Sequence, residues 1–71
     1  MNLKNDIVIF PKHYKPIPHP FYVTRCDDHC LVSELDEKFN LINERSEIHW
    51  DKYQVRRWAL QIAEERNNER N

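Results

Sequence analysis

The chain has 71 residues, of which 39% are apolar and 32% charged, so it forms one domain at most and its hydrophobic core must be small. It contains no glycine, which excludes the glycine-rich loops that bind nucleotide phosphates. No apolar run approaches the ~18 residues of a membrane span and the N-terminus lacks a signal-peptide core, so we expect a cytoplasmic protein with no membrane contact, whose cysteines are thiols.

The net charge of −1 is unevenly distributed along the chain. Residues 1–26 carry a net charge of +3, residues 27–51 a net charge of −6 and residues 52–71 a net charge of +2. A nucleic-acid-binding face is dominated by positive charge, so this pattern favours internal pairing of the segments or an interface with a charged protein.

The N-terminal part predicts a short strand and then an irregular arm. Residues 7–10, Ile-Val-Ile-Phe, are β-branched and aromatic and end at Pro11, which predicts a buried strand. Four prolines within residues 11–20 exclude a helix or a central strand and predict an extended, proline-rich arm. The arm either presents Tyr14 and Ile17 to a partner or is a semi-rigid connector, and we favour the connector.

The next segment predicts a β-hairpin with strands at residues 21–26 and 30–34. Residues 21–25 alternate in the manner of a strand, and Asp27 and Asp28 suit the turn because aspartate side chains bond to nearby backbone.

Residues 34–42 are compatible with either a helix or a strand. Ser33 is a suitable helix cap and acidic residues follow it, which favours a second short helix. Three apolar residues then share one helical face: Leu35, Phe39 and Ile42. The alternative is a strand over residues 38–42, and residues 43–49 predict a polar connector.

The clearest prediction is a C-terminal amphipathic helix over residues 51–66. Asp51 suits the N-cap, Gln54 completes a capping box, and Trp50 and Val55 are placed to form a hydrophobic staple. Five residues form one apolar stripe at helical spacing: Val55, Trp58, Ala59, Ile62 and Ala63. Residues 67–71 are expected to fray.

The same helix carries apolar residues outside that stripe. Tyr53 and Leu60 lie on the opposite side, beside Arg57. Single exposed apolar residues are ordinary, but tyrosine and arginine are common anchors of protein interfaces. We therefore predict a partner-binding surface of Tyr53, Arg56, Arg57 and Leu60.

Cys26, His29 and Cys30 are the residues that raise the question of a zinc site. The single Cys-x3-Cys pair has no second ligand pair at the usual spacing, and Asp27 and Asp28 disfavour thiolate, so we predict neither a metal nor a catalytic cysteine. If the turn is a hairpin loop, the two cysteines could face each other and oxidise in air. A nucleic-acid surface would rest on three basic residues, Lys52, Arg56 and Arg57, with Tyr53, Trp50 and Trp58 interleaved.

A scattered set of residues in the C-terminal half resembles the Ral family of anti-restriction proteins of lambdoid phages. The set consists of Cys30-Leu31-Val32, Phe39, Asp51 to Arg56, and Ala59-Leu60. The additional closely spaced cysteines of that family are absent from this chain, and no residue role is carried over.

Together these patterns predict one α+β domain over residues 1–71, with two or three short antiparallel strands packed against a capped C-terminal helix. We expect a non-enzymatic interaction protein without cofactors that binds and modulates a larger protein partner, such as a phage or mobile-element accessory or inhibitor protein. A homo-oligomer is compatible with the small core. The alternative function is a zinc-supported nucleic-acid-binding module.

Overall fold

The computed structural model describes residues 6–70, and it describes their side chains except at residues 44–48 and 70. The described chain forms an antiparallel sheet followed by a helix. The elements are β1 (Asp6–Ile7), β2 (Phe21–Cys26), β3 (His29–Leu35), β4 (Leu41–His49) and α1 (Lys52–Arg70). The strands lie in the order β1-β2-β3-β4, so each strand pairs with its neighbour in sequence. The predicted α+β class is confirmed, but the sheet has four strands rather than two or three.

β2 and β3 form the predicted hairpin. Their register runs from Phe21 opposite Glu34 to Cys26 opposite His29, which leaves Asp27 and Asp28 as a two-residue turn. Asp27 has a φ angle of 51°, in the left-handed region. Aspartate enters that region more readily than most residues because its short polar side chain bonds to the local backbone.

β1 is shorter than the strand predicted at residues 7–10. It pairs with β2 over Asp6–Ile7, and the Val8 N–H then donates to the Val23 carbonyl at 2.9 Å. Ile9 is 81% exposed, so the last part of the predicted strand lies outside the core.

The second helix predicted after Ser33 is wrong, as is the polar connector predicted for residues 43–49. The chain continues β3 to Leu35 and then forms β4 over Leu41–His49. Ser33 does not cap a helix because its hydroxyl is buried, 2.7 Å from the Thr24 hydroxyl on the neighbouring strand.

α1 packs its predicted apolar stripe on one face of the sheet. Val55, Ala59 and Ala63 are buried, while Trp58 and Ile62 are partly buried at the edge of the same cluster. The sheet contributes four buried residues to this cluster: Phe21, Val23, Cys30 and Val32. Small alanine side chains at the contact allow the helix to approach the sheet closely.

The start of α1 confirms one of its predicted capping features. The Asp51 carboxylate accepts the Tyr53 N–H at 2.9 Å, as expected of an N-cap. The capping box does not form as predicted, because the Asp51 N–H donates to His49 Nδ1 at 2.9 Å. The predicted staple is wrong too, since Trp50 is 72% exposed whereas Val55 is fully buried.

α1 continues through residues 67–70, which the sequence assigned to a frayed tail. The Arg66 guanidinium donates to the buried Glu34 carboxylate at 3.3 Å and lies 5.5 Å from the centroid of the Phe21 ring. These contacts fasten the C-terminal half of the helix to the sheet. Removing either partner of such an ion pair destabilises the fold, because the remaining charge is left partly buried without its counter-charge.

The opposite face of the sheet contains a buried pair of hydroxyl groups. Thr24 and Ser33 are fully buried, and their side-chain oxygens lie 2.7 Å apart. The Thr24 hydroxyl is also 3.5 Å from the Leu31 carbonyl oxygen. A hydrogen-bonded pair of this kind is costly to break from one side only.

We predict that Thr24→Val lowers the free energy of unfolding by about 1–3 kcal/mol, because Ser33 then has a buried hydroxyl without its partner. The double variant Thr24→Val/Ser33→Ala should recover part of this loss, since both polar groups are gone. Urea unfolding of the two single variants and the double variant measures the coupling. Strictly additive losses would contradict a hydrogen-bonded pair.

Candidate protein-binding surfaces

Two of the four predicted partner-binding residues pack against the proline-rich arm. The Tyr53 ring centroid lies 5.6 Å from that of Phe10 and 5.3 Å from that of Tyr14. The Arg56 guanidinium lies 4.8 Å from the Tyr14 ring centroid and donates to the Lys15 carbonyl. Tyr53 and Arg56 therefore hold the arm against α1, a contact that sequence analysis did not anticipate.

The other two predicted residues are not part of this contact. Arg57 is exposed and Leu60 is half-buried on α1. Of the four predicted residues, Arg57 alone is exposed.

The arm itself is folded onto the domain. The Tyr14 N–H donates to the Pro11 carbonyl at 3.0 Å, which closes a turn near its start. Ile17 is partly buried against the main core, and the Leu35 N–H donates to the Pro20 carbonyl at 2.8 Å. Because its Lys15 carbonyl accepts from Arg56, Ile17 packs on the core and its last residue bonds to Leu35, the arm is a packed connector in this structure.

A groove lies between β1, the β2–β3 turn and the start of α1. It has a volume of about 570 Å³, and Tyr53 lines one wall together with Ile7 and Cys30. Ile9 and Trp50 also line the groove, and they are the most exposed large apolar residues in the part of the chain that the structure describes. Sequence analysis placed Ile9 in the core and Trp50 in a staple, so it did not identify this site.

Charged side chains of both signs border the groove. The cationic ones are Arg25 and Lys52, and the acidic ones are Asp6, Asp28 and Asp51. Burial raises the pKa of the Cys30 thiol, although Arg25 and Lys52 oppose the shift. The raised pKa keeps the Cys30 thiol protonated at neutral pH, which makes it a weak nucleophile.

The two cysteines lie on opposite faces of the hairpin. Cys26 pairs with His29 and Cys30 pairs with Arg25, so successive residues along each strand place the two thiols on different sides. Both are free thiols, and they do not face each other across the hairpin, an arrangement that the sequence left open. Among the described side chains, those of residues 6–43 and 49–69, no three His, Cys, Asp or Glu form a group that could hold a metal ion.

The basic residues considered for nucleic-acid binding do not share one free surface. Arg56 is bound to the arm, and the Lys52 ammonium lies 5.3 Å from the Tyr53 ring centroid. Trp58 is partly buried and contacts the His49 ring at 5.9 Å between centroids. Of the three basic residues, only Arg57 is exposed.

A second apolar surface lies at the turn between β3 and β4, which we call the β3–β4 turn (residues 36–40). Phe39 is 47% exposed, and the first two residues of β4, Leu41 and Ile42, are 49% and 53% exposed. The Tyr22 ring supports the Phe39 ring at 5.7 Å between centroids. The helical spacing predicted Phe39 on the apolar face of a helix, although the Asp-Glu-Lys-Phe-Asn composition of the segment is typical of a turn.

Asp36 holds the β3–β4 turn in shape. One of its carboxylate oxygens accepts the backbone N–H groups of Lys38 and Asn40, each at 2.9 Å. The Asp36 N–H donates to the Asn40 carbonyl at 2.9 Å, which closes the loop. The hydrogen bonds that the carboxylate accepts, above all the one from the Asn40 N–H, keep the pKa of the Asp36 carboxyl below its ordinary value.

We predict that replacing Arg56 by alanine loosens the arm. The variant loses the bond to the Lys15 carbonyl and the contact with the Tyr14 ring, and we expect a loss of about 1–3 kcal/mol of stability. Trypsin should then cleave faster after Lys12. Arg57→Ala is the matched control on the exposed side of α1, and equal cleavage rates in the two variants would contradict this role.

We also predict that Asp36 makes folding stability depend on acid pH. Because the pKa is lower in the folded state, the ionised carboxylate stabilises the fold above the unfolded pKa of ~3.9, and this contribution is lost as pH falls through the folded value. Asp36→Ala should be less stable than wild type at pH 7, and the difference should shrink towards pH 2. Urea unfolding across this range measures it, with Glu37→Ala as the control at pH 7. A difference that is independent of pH would contradict the prediction.

Within residues 6–70, no helix combines the length and the apolar character that crossing a bilayer requires. Comparison with protein-family models, curated proteins and solved structures found no match to this chain. The resemblance to the Ral family therefore gains no support, and no residue role is transferred from another protein.

Proposed function

We propose that this chain is a small non-enzymatic protein that binds and modulates a larger protein, and that the groove at the start of α1 is its main contact surface. The observation that carries this proposal is the exposure of Ile9 and Trp50, 81% and 72%, on the rim of a 570 Å³ groove. Large apolar side chains beside a concave surface are the usual anchors of protein interfaces.

The charges around the groove support a protein partner more than a nucleic acid. Asp6, Asp28 and Asp51 would repel phosphate groups, whereas Arg25 and Lys52 favour acidic side chains. A mixed polar rim around apolar anchors is the arrangement found in most protein–protein interfaces.

The earlier partner-binding residues have different parts in this proposal. Tyr53 contributes to the wall of the groove, and Arg57 and Leu60 follow it on the same side of α1 at positions i+4 and i+7. These two residues extend the proposed contact surface along the helix. Arg56 binds the Lys15 carbonyl and the Tyr14 ring, so its part is to hold the arm in place and not to contact the partner.

A short chain with a small core suits an accessory or inhibitor protein, such as those of phages and mobile elements, that acts by covering part of a larger molecule. Binding would restrict the partner through contact alone, without chemistry on this chain. The zinc-supported nucleic-acid alternative has no comparable observation in its favour, since the two thiols lie on opposite faces and Arg56 is bound to the arm.

The proposal predicts that a photo-reactive amino acid at position 50 cross-links to a larger host protein. The same amino acid at position 65, which is exposed on α1 far from the groove, is the control. Excess unlabelled wild-type protein should abolish the adduct. Equal labelling from both positions, or no competed adduct from position 50, would overturn the proposed surface.

With the captured partner purified, Ile9→Lys and Trp50→Ala should each raise the dissociation constant at least ~10-fold, as expected for anchor residues. Circular dichroism should show an unchanged fold because both residues are exposed. Glu65→Ala should bind like wild type.

A further inference from the structure

A single hydrogen bond joins the end of the sheet to the start of α1, and Trp50 is the one residue between its two partners. The Asp51 N–H donates to His49 Nδ1 at 2.9 Å. His49 is the last residue of β4 and pairs with Cys30 of β3, whereas the Asp51 carboxylate caps α1 through the Tyr53 N–H. Each partner is therefore fixed to a different element, and the bond closes the bend that carries Trp50.

The backbone on either side of Trp50 determines where its side chain lies. The side chain is 72% exposed and lines the groove between β1, the β2–β3 turn and α1. A side chain with so little of its surface packed is restrained mainly by its own backbone. The bond between His49 and Asp51 therefore restricts the position of this residue at the groove.

The bond requires the neutral form of His49. A ring nitrogen accepts a hydrogen bond only when it carries no proton, so the proton of the neutral imidazole must lie on Nε2. An imidazolium carries a proton on both nitrogens, and its Nδ1–H would then point at the Asp51 N–H, donor against donor. Histidine side chains in general change charge between pH 5 and pH 8, so mild acid is enough to remove such an acceptor.

The position of the His49 ring is restricted by Trp58 of α1. The two rings meet edge to face, with their centroids 5.9 Å apart and their planes at 78°. Aromatic pairs in this arrangement attract each other and limit rotation of either ring. When the bond to Asp51 is lost, we therefore expect the segment that carries Trp50 to move and the imidazole to stay.

The described charges around His49 provide no group that would replace the lost bond. Its cross-strand neighbour Cys30 is a buried thiol. Three charged side chains in the described part of the chain act on that thiol, namely Arg25 of β2, and Asp51 and Lys52 at the start of α1. Two of the three are cations, and the carboxylate of the third already accepts the Tyr53 N–H as the helix cap.

We propose that His49 is a pH-sensitive positioning residue of the groove: protonation of its imidazole breaks the bond to Asp51, releases the segment that carries Trp50 and lowers the affinity for the protein partner. The regulation of partner binding rests on the proposed function, whereas the switch in the free chain does not. Neutral pH therefore favours the bound state, and mildly acidic pH favours release.

Nuclear magnetic resonance of the free, full-length chain tests the switch. At pH 8 the nitrogen-15 shifts of the His49 ring should place its proton on Nε2. On acidification to pH 5, the protection of the Asp51 amide against hydrogen exchange, corrected for the intrinsic effect of pH, should fall at least ~3-fold, and the Trp50 amide should become more mobile. A proton on Nδ1 at pH 8, or an Asp51 amide that is equally protected at both pH values, would overturn the proposal.

His49→Asn is the matched variant. The asparagine side-chain oxygen takes nearly the place of Nδ1 and accepts a hydrogen bond at every pH, since it does not titrate in this range. The Asp51 amide of this variant should be protected alike at pH 8 and pH 5. A variant that still loses protection in acid would show that another group titrates, and this would contradict the role of His49.

His29→Asn is the control for the other histidine of the groove. His29 Nδ1 lies 3.2 Å from the Asp28 carboxylate, a contact in which the ring donates and which a second ring proton does not break. The pH response of the Asp51 amide should persist in this variant. Its loss would assign the response to His29 and overturn the proposal.

Binding to the captured partner tests the regulation. From pH 8 to pH 5 the affinity of wild type should fall about 3- to 10-fold more than that of His49→Asn, as expected for the loss of one hydrogen bond. Equal pH dependence of the two proteins would overturn the regulation. If position 50 captures no partner while the Asp51 amide responds to pH, the proposed function fails and the switch stands. If a partner is captured and the amide does not respond, the switch fails and the proposed function stands.

Discussion

The close contact between α1 and one face of the sheet is the interaction on which the rest of the structure depends. Val55, Ala59 and Ala63 pack on Phe21 and Val23, and this single layer holds most of the core. Because the contacting helix residues are small, the helix lies close to the sheet but buries little surface of its own. Its two ends are therefore secured by polar groups. The Asp51 carboxylate caps the N-terminus, and the ion pair between Arg66 and Glu34 fastens the C-terminal half.

A second small cluster uses the other side of the same helix. Tyr53 contacts Phe10 and Arg56 contacts Tyr14. Residues that lie outside the core stripe of the helix therefore hold the proline-rich arm. The sequence predicted a second apolar face on α1 at Tyr53 and Leu60, and in the structure Tyr53 contacts the arm while Leu60 is half-buried. It could not predict what covers the second face, because the residues that do so are about forty positions away in the chain. Helical spacing shows which residues share a side of a helix but contains no information about distant contacts.

The error at residues 33–42 has a related cause. Ser33, Leu35 and Phe39 have the spacing and the capping group of a helix, and local preferences favoured it. In the folded chain the Ser33 hydroxyl is buried beside Thr24, and Leu35 is buried at the end of β3. The hairpin before this segment was predictable because its alternation and its Asp-Asp turn are local signals. The continuation of the sheet into β4 depends on pairing with β3, a tertiary contact that overrides weak helical propensity.

The exposed apolar residues of the described chain lie at two separated places, and β4 connects them. Phe39 and Leu41 are at its start, and Trp50 follows its end after nine residues, which in an extended strand span roughly 30 Å. The domain measures 37 Å along its longest axis, so this separation is a large part of its size. The groove and the β3–β4 turn are therefore separate surfaces, and a substitution of Phe39 is not expected to alter contacts made at Trp50.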